Sequence, residues 1–91
     1  MNTLEYDKLT IYEVESFHKN LLQWSNESNG DLILECGHLH KIDMAGIQLL
    51  LSAQKACAYK GVNLVLKNLS AEVAATIRTG GCEALLGGEN E

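Results

Sequence analysis

The stretch formed by residues 32–51 constrains the fold of this chain more than any other part of the sequence. It opens with an apolar Leu-Ile-Leu run, passes through a short loop to Asp43 and Gly46, and ends in a Leu-rich amphipathic segment. Asp is a preferred residue at the N-cap of a helix. Strand-to-helix junctions of this kind are where α/β proteins commonly carry their binding residues. We therefore expect the functional surface at the start of the helix that follows Asp43.

The rest of the chain alternates between strand-like and helix-like patterns. This alternation predicts βαβ crossovers and a largely parallel sheet. The fold that we expect is α/β, with a mixed sheet of four or five strands packed with helices. Residues 4–6 are a further strand candidate, which would form an edge hairpin with the first strand. The predicted elements are, in order, strand 9–12, a helix marked by Val14, Phe17, Leu21 and Trp24, strand 31–36, helix 44–59, strand 62–66, a helix capped by Ser70, and a turn at 83–86.

Composition disfavours several classes of partner. Twelve Asp and Glu residues against seven Lys and Arg give a net charge of −5. Nucleic acids and anionic lipid surfaces are bound through clustered basic residues, so we expect neither as a partner. No apolar run approaches the roughly 20 residues that cross a bilayer. The first residues lack the basic and apolar regions of a secretion signal, so we expect a cytoplasmic location.

The cysteine pattern indicates reduced thiols. Cys36, Cys57 and Cys82 are odd in number and have no CxxC spacing. Cys36 falls in a predicted strand and Cys57 on a predicted helix, where a buried cysteine behaves as a small hydrophobic residue. A redox role is therefore not expected.

Helical geometry divides residues 44–59 into two faces. At about 100° per residue, Met44 projects onto a polar stripe, so that a flexible thioether is expected in solvent at the start of the helix. The other residues of this stripe are Gln48, Ser52, Lys55 and Tyr59. Gly46 falls on the opposite face, where the lack of a Cβ allows the helix to approach the strands. Asp43 is expected to accept a hydrogen bond from the N–H group of Ala45 or Gly46.

A metal site is an alternative interpretation of the same region. His38 and His40 alternate in the loop before Asp43, and Cys36 lies close by in sequence. Imidazole and thiolate ligands suit zinc. Against this interpretation, Cys36 should point into the core, and no fourth ligand has regular spacing. We therefore expect no metal, although a small-ligand or metal sensor using His38, His40 and Asp43 remains the alternative.

No catalytic motif is recognisable in the sequence. It contains neither a glycine-rich phosphate loop nor the GxSxG or HExxH patterns. Asp43 could pair with His38 or His40, but no nucleophile stands beside them. We expect a non-catalytic protein without a cofactor.

The order of elements and the Ile-Asp-x-Ala-Gly motif at 42–46 resemble the STAS family, the anti-sigma-factor-antagonist-like domains. The resemblance extends from the Leu-Thr-Ile-Tyr opening at 9–12 to the strand at 62–66 and its Ser-initiated helix. The chain is similar to the compact bacterial single-domain members of the family, which include a small subunit of a lipid transporter. The resemblance implies one STAS-like domain over residues 1–87. The polar residues 88–91 that follow are expected to form a disordered tail.

The resemblance also implies a function. Family members dock on a partner protein through the start of this helix, and phosphorylation of a Ser or Thr after the Asp weakens the complex. Here that residue is Met44, which has no hydroxyl group, so no phosphorylation is expected at the usual position. The implied partners are a GHKL-type anti-sigma kinase, a sensory-signalling protein or a transporter ATPase. The implied contact residues are Asp43, Met44, Ala45, Gln48, Ser52 and Lys55, with Gly46 in a structural role.

Overall fold

The computed structural model describes residues 2–81 and 83–86, and within them three α-helices alternate with five short strands. The α/β class predicted from the sequence is confirmed. In chain order the elements are β1 (Asn2–Thr3), β2 (Lys8–Leu9), α1 (Val14–Glu27), β3 (Leu32–Glu35), β4 (Lys41–Ile42), α2 (Met44–Tyr59), β5 (Leu64–Lys67), α3 (Ala71–Thr79) and a 3-10 turn at Glu83–Leu86.

All strand pairings among the described residues are parallel. One sheet has the order β1-β3-β5, and a second sheet consists of β2 and β4. The chain leaves the first sheet after Leu4, whose N–H donates to the carbonyl of Glu35 at 2.9 Å. It joins the second sheet at Asp7, whose carbonyl accepts the N–H of His40 at 2.7 Å. The largely parallel pairing expected from the alternation is confirmed, whereas the five strands are divided between two small sheets instead of one mixed sheet.

The predicted hairpin between residues 4–6 and a strand at 9–12 is wrong. The strand is Lys8–Leu9, and it pairs with Lys41–Ile42, a segment that we predicted as loop. The reason is a side-chain interaction that ends the strand early. The Glu13 carboxylate accepts hydrogen bonds from both the N–H and the hydroxyl of Thr10, at 2.8 and 2.6 Å. Thr10 therefore begins the turn into α1 instead of continuing the strand.

The core lies where the apolar faces of the helices meet one face of the three-stranded sheet. Strands β3 and β5 alternate between buried residues and residues that are half-buried or exposed, as the period of two in a strand requires. Fully burying an aliphatic or Phe side chain contributes about 1.5–3 kcal/mol. The buried side chains that these elements contribute are Phe17, Leu21, Leu32, Leu34, Ile47, Leu50, Cys57, Leu64, Leu66, Val73 and Ile77.

The cysteines of the described segments are buried, as expected from the sequence. Cys36 and Cys57 both lie in the core, and burial raises the pKa of the Cys57 thiol. A raised pKa makes the thiolate scarcer at neutral pH and the thiol less reactive. Cys82 and the tail at 88–91, whose disorder we predicted, lie outside the described residues. No helix in the described segments has both the length and the apolar character required to span a membrane.

Candidate functional site

Asp43 connects three parts of the chain at the start of α2. Its Oδ1 accepts the N–H of Gly46 at 3.0 Å, which confirms the predicted N-cap. Its Oδ2 accepts the N–H of Ile11 at 3.0 Å, and its own N–H donates to the carbonyl of Leu9 at 3.3 Å. The hydrogen bond from Gly46, helped by that from Ile11, holds the pKa of Asp43 below its ordinary value of 3.8. Asp43 is therefore a carboxylate whose two oxygens both accept backbone N–H groups.

Gly46 lies at the closest approach between α2 and the two-stranded sheet. A Cβ at this position would overlap the carbonyl oxygen of Leu9 and lie 2.9 Å from Cγ1 of Ile42. Because the Leu9 oxygen belongs to the backbone, a side chain at position 46 would require the backbone to move. Gly46 therefore sets how near the start of α2 comes to β2 and β4.

The outer face of α2 carries the side chains that the sequence placed there. Met44 is 52% exposed, although it is one of the larger apolar side chains of the protein. Asp43 and Ala45 are half-buried. On the opposite face, Gly46 and Leu50 are buried. The remaining residues of the predicted stripe are all exposed, namely Gln48, Ser52, Lys55 and Tyr59.

Met44 also forms one wall of an open groove between α2 and α3. Its Cε lies 3.5 Å from where a Cβ on Gly80 would stand, so the thioether leans toward the end of α3. The side-chain amide of Gln48 donates to the Met44 sulfur at 3.8 Å. The groove has a volume of about 460 Å³ and is lined by Met44, Ile47, Ala75, Thr76, Thr79 and Gly80.

Sequence reasoning missed the contribution of the loop between β2 and α1. Ile11 is 62% exposed and Tyr12 is 87% exposed, and the backbone of Ile11 is bonded to Asp43. The β-branched and aromatic character of this run predicted a strand. The Thr-x-x-Glu spacing of Thr10 and Glu13 was the signal for a helix start, and it would have placed Ile11 and Tyr12 in a loop.

The structure does not assemble the alternative metal site. His38 and His40 are exposed, and Cys36 is buried with its thiol directed at the carbonyl of Leu34. Both oxygens of Asp43 accept backbone N–H groups. Among the described residues, no group of three or more His, Cys, Asp or Glu side chains could hold a metal ion.

The fold and this surface define an α/β domain whose helix α2 begins at the capping residue Asp43 and exposes Met44. The chain belongs to the STAS family, since the family model described as "Mlab, STAS domain" matches residues 7–87. A search of curated proteins and a search of solved structures give no significant match. STAS domains are protein-interaction and regulatory modules of the anti-sigma-factor-antagonist type, and they are generally non-catalytic.

Proposed function

We propose that this protein is a non-catalytic adaptor or regulatory subunit that binds another protein through the start of α2. The observation that carries the proposal is the exposure of Met44, the first residue of α2, beside the cap formed by Asp43. Because the Met44 thioether is half exposed, a partner that covers it removes apolar surface from water, and this favours binding. The proposed contact residues are Asp43, Met44, Ala45, Gln48, Ser52 and Lys55.

The chemistry of Met44 suits a lasting contact. Its flexible apolar side chain adapts to an uneven partner surface and carries no charge that must lose its water. Burying such a side chain on a partner contributes about 1–2 kcal/mol. The groove toward α3 supplies adjoining surface that the same partner can cover.

The missing hydroxyl group bears on the choice of partner. In the family, the residue at this position is a phosphorylated Ser or Thr, whereas Met44 cannot accept a phosphate. A GHKL-type anti-sigma kinase or a sensory-signalling protein would require control at another residue. A transporter ATPase that holds the chain as a constant subunit requires no such control. We therefore favour the ATPase among the three, with binding on the cytoplasmic side.

A comparison of three baits tests the proposal. The wild-type chain, Met44→Asp and Leu22→Asp are each immobilised and exposed to native cytoplasm, and the retained proteins are identified by mass spectrometry. Leu22 is the matched control, because it is 53% exposed, close to the exposure of Met44, but lies on α1.

We expect the wild-type and Leu22→Asp baits to retain the same amount of the same partner. The Met44→Asp bait should retain at least about tenfold less of it. The new carboxylate would have to lose its water on docking, which is costly when it has no partner. The helix dipole tolerates an acidic residue in the first turn, so the variant should fold. If folded Met44→Asp retained the partner as well as the wild type, the start of α2 would not be the interface.

A further inference from the structure

Helices α1 and α2 leave a cavity between them, which we call the apolar cavity. Its volume is about 100 Å³, and Leu32 of β3 forms one of its walls. Ala53, Ala56 and Cys57 also line it, and their spacing of three and four residues places them on one side of α2. Because protein interiors rarely contain voids larger than a water molecule, these small side chains leave room that a ligand can fill.

The walls of the apolar cavity are mainly hydrocarbon. They include Leu21 of α1 and Leu49 of α2, while the polar residues His18 and Ser52 are exposed and stand at its rim. In another protein, an apolar cavity of about 150 Å³ binds benzene, a six-carbon molecule. By proportion, a cavity of about 100 Å³ accepts an aliphatic chain of about four carbon atoms.

A second cavity, which we call the polar cavity, adjoins the first near the ends of both helices. Its volume is about 120 Å³. Ser25, Leu32 and Cys57 line both cavities. The polar cavity adds Lys60, which follows α2, and the turn at 28–30. A ligand in the apolar cavity therefore has a positively charged side chain beside it.

The ammonium group of Lys60 is held in position by Ser25. It donates to the Ser25 hydroxyl at 2.8 Å and to the Ser25 carbonyl at 3.4 Å. Because an ammonium group carries three N–H donors, it can bind an anion without leaving Ser25. Its charge also reaches the wall shared by the two cavities, since burial raises the pKa of the Cys57 thiol and Lys60 partly opposes this effect.

The acidic residue of this region is directed elsewhere. The charge of Asp31 also reaches Cys57, but its Oδ1 accepts the N–H of Asn63 at 2.9 Å and it lines neither cavity. Among the described residues, the lining of the two cavities contains no Asp or Glu. An anion beside Lys60 is therefore not repelled by a carboxylate in the walls.

We propose that the two cavities form one binding site for a short-chain aliphatic carboxylate of about five carbon atoms. The chain fills the apolar cavity, and the carboxylate accepts a charge-assisted hydrogen bond from Lys60 in the polar cavity. The reverse orientation would bury an unpaired carboxylate among apolar side chains, which is costly. This site lies toward the end of α2 opposite Met44, so the inference does not depend on the proposed function.

Three probes titrated into the full chain test the site, with binding followed by amide NMR spectra. Pentanoate carries both the chain and the charge, acetate carries the charge almost alone, and pentanol carries the chain without the charge. We expect pentanoate to shift the amide signals of Ala53, Cys57 and Lys60 saturably. Acetate and pentanol should each bind at least about tenfold more weakly.

Two substitutions separate the roles of the cavities. Lys60→Gln should weaken pentanoate binding at least about tenfold and leave pentanol binding unchanged. Lys67→Gln is the matched control, because Lys67 is also exposed but lies on β5 and should not affect either probe. Ala53→Leu fills the apolar cavity and should weaken both probes, with thermal unfolding used to verify that this variant folds.

Four outcomes would overturn the inference. If pentanoate produced no saturable shift, the two cavities would not form a site. If acetate bound as tightly as pentanoate, Lys60 would hold an adventitious ion only. If pentanol bound as tightly as pentanoate, or if Lys60→Gln bound pentanoate normally, the lysine would have no role. If folded Ala53→Leu bound pentanoate as the wild type does, the chain would not occupy the apolar cavity.

Discussion

Gly46 in α2 lies against the carbonyl group of Leu9 in β2, so closely that a methyl group at position 46 would overlap the carbonyl oxygen. The same carbonyl accepts the N–H of Asp43. The small parallel sheet, the capping residue and the first turn of α2 are therefore fixed at one point. The exposed position of Met44 depends on this packing.

Gly46→Ala should destabilise the protein by about 1–3 kcal/mol, because the added methyl group forces backbone movement in a packed region. Urea unfolding followed by the fluorescence of Trp24 measures the change, since this is the single tryptophan and it packs edge-to-face on Phe17.

Gly30→Ala is the matched control for this substitution. A Cβ at Gly30 would meet no atom within 4 Å, so this variant should be as stable as the wild type or slightly more stable. Equal stability of Gly46→Ala and Gly30→Ala would contradict the close packing at Leu9.

The cap of α3 gives a second stability prediction. Ser70 Oγ accepts the N–H of Val73 at 3.1 Å, and Ser70→Ala should cost about 1 kcal/mol by removing that acceptor. Ser70→Asp retains an acceptor and should keep most of the stability. The midpoint temperatures of thermal unfolding rank the wild type and the two variants by stability. An alanine variant as stable as the wild type would show that the cap contributes nothing.

The start of α2 could be predicted from sequence because its determinants are local. Asp43 caps within three residues, and the angular positions of Met44 and Gln48 follow from helical geometry alone. The end of β2 could not be assigned by the same reasoning, since the β-forming character of Ile11 and Tyr12 competes with the bonds between Thr10 and Glu13.

Other features depend on parts of the chain that are distant in sequence. Strands of two residues, such as Lys41–Ile42, have no periodicity to recognise, and their pairing becomes visible only in the fold. The α3 wall of the Met44 groove is likewise set by the packing of two helices. The bond from Ile11 to Asp43 could not be anticipated for the same reason.

Two carboxylates should make stability depend on pH. Hydrogen bonds from the hydroxyl and then the N–H of Thr10 lower the pKa of Glu13 below its ordinary 4.5, and the Gly46 N–H lowers that of Asp43 below 3.8. Above about pH 5 both groups are ionised in the folded and the unfolded chain, so their contribution is fully present. As the pH falls further, the unfolded chain takes up protons first, and stability is lost.

Urea unfolding between pH 7 and pH 3 measures this loss. Glu13→Gln and Asp43→Asn should each be less stable than the wild type at pH 7 and should lose less stability on acidification. If both variants followed the wild-type pH profile in parallel, the two hydrogen-bonded carboxylates would not contribute to it.

Met44 stands at the position that family members use for phosphorylation. Incubated with native cytoplasmic extract and ATP, the wild-type chain should carry no phosphate within residues 43–46, because Met44 offers no hydroxyl group. Met44→Ser places a hydroxyl at an exposed helix start. If a kinase of the family's type is present, this variant should gain phosphate there, as peptide mapping by mass spectrometry would show.

Partner binding by these variants distinguishes the effect of added charge at position 44 from the effect of side-chain shape. Unmodified Met44→Ser should retain the partner, weakened by the lost thioether contact, and Met44→Leu should bind as the wild type does. A phosphate at position 44 adds about −1.5 to −2 charge and should release the partner, as Met44→Asp does. If phosphorylated Met44→Ser still bound as tightly as its unmodified form, added charge would not control this surface. Methionine at this position would then not be the reason for lasting binding.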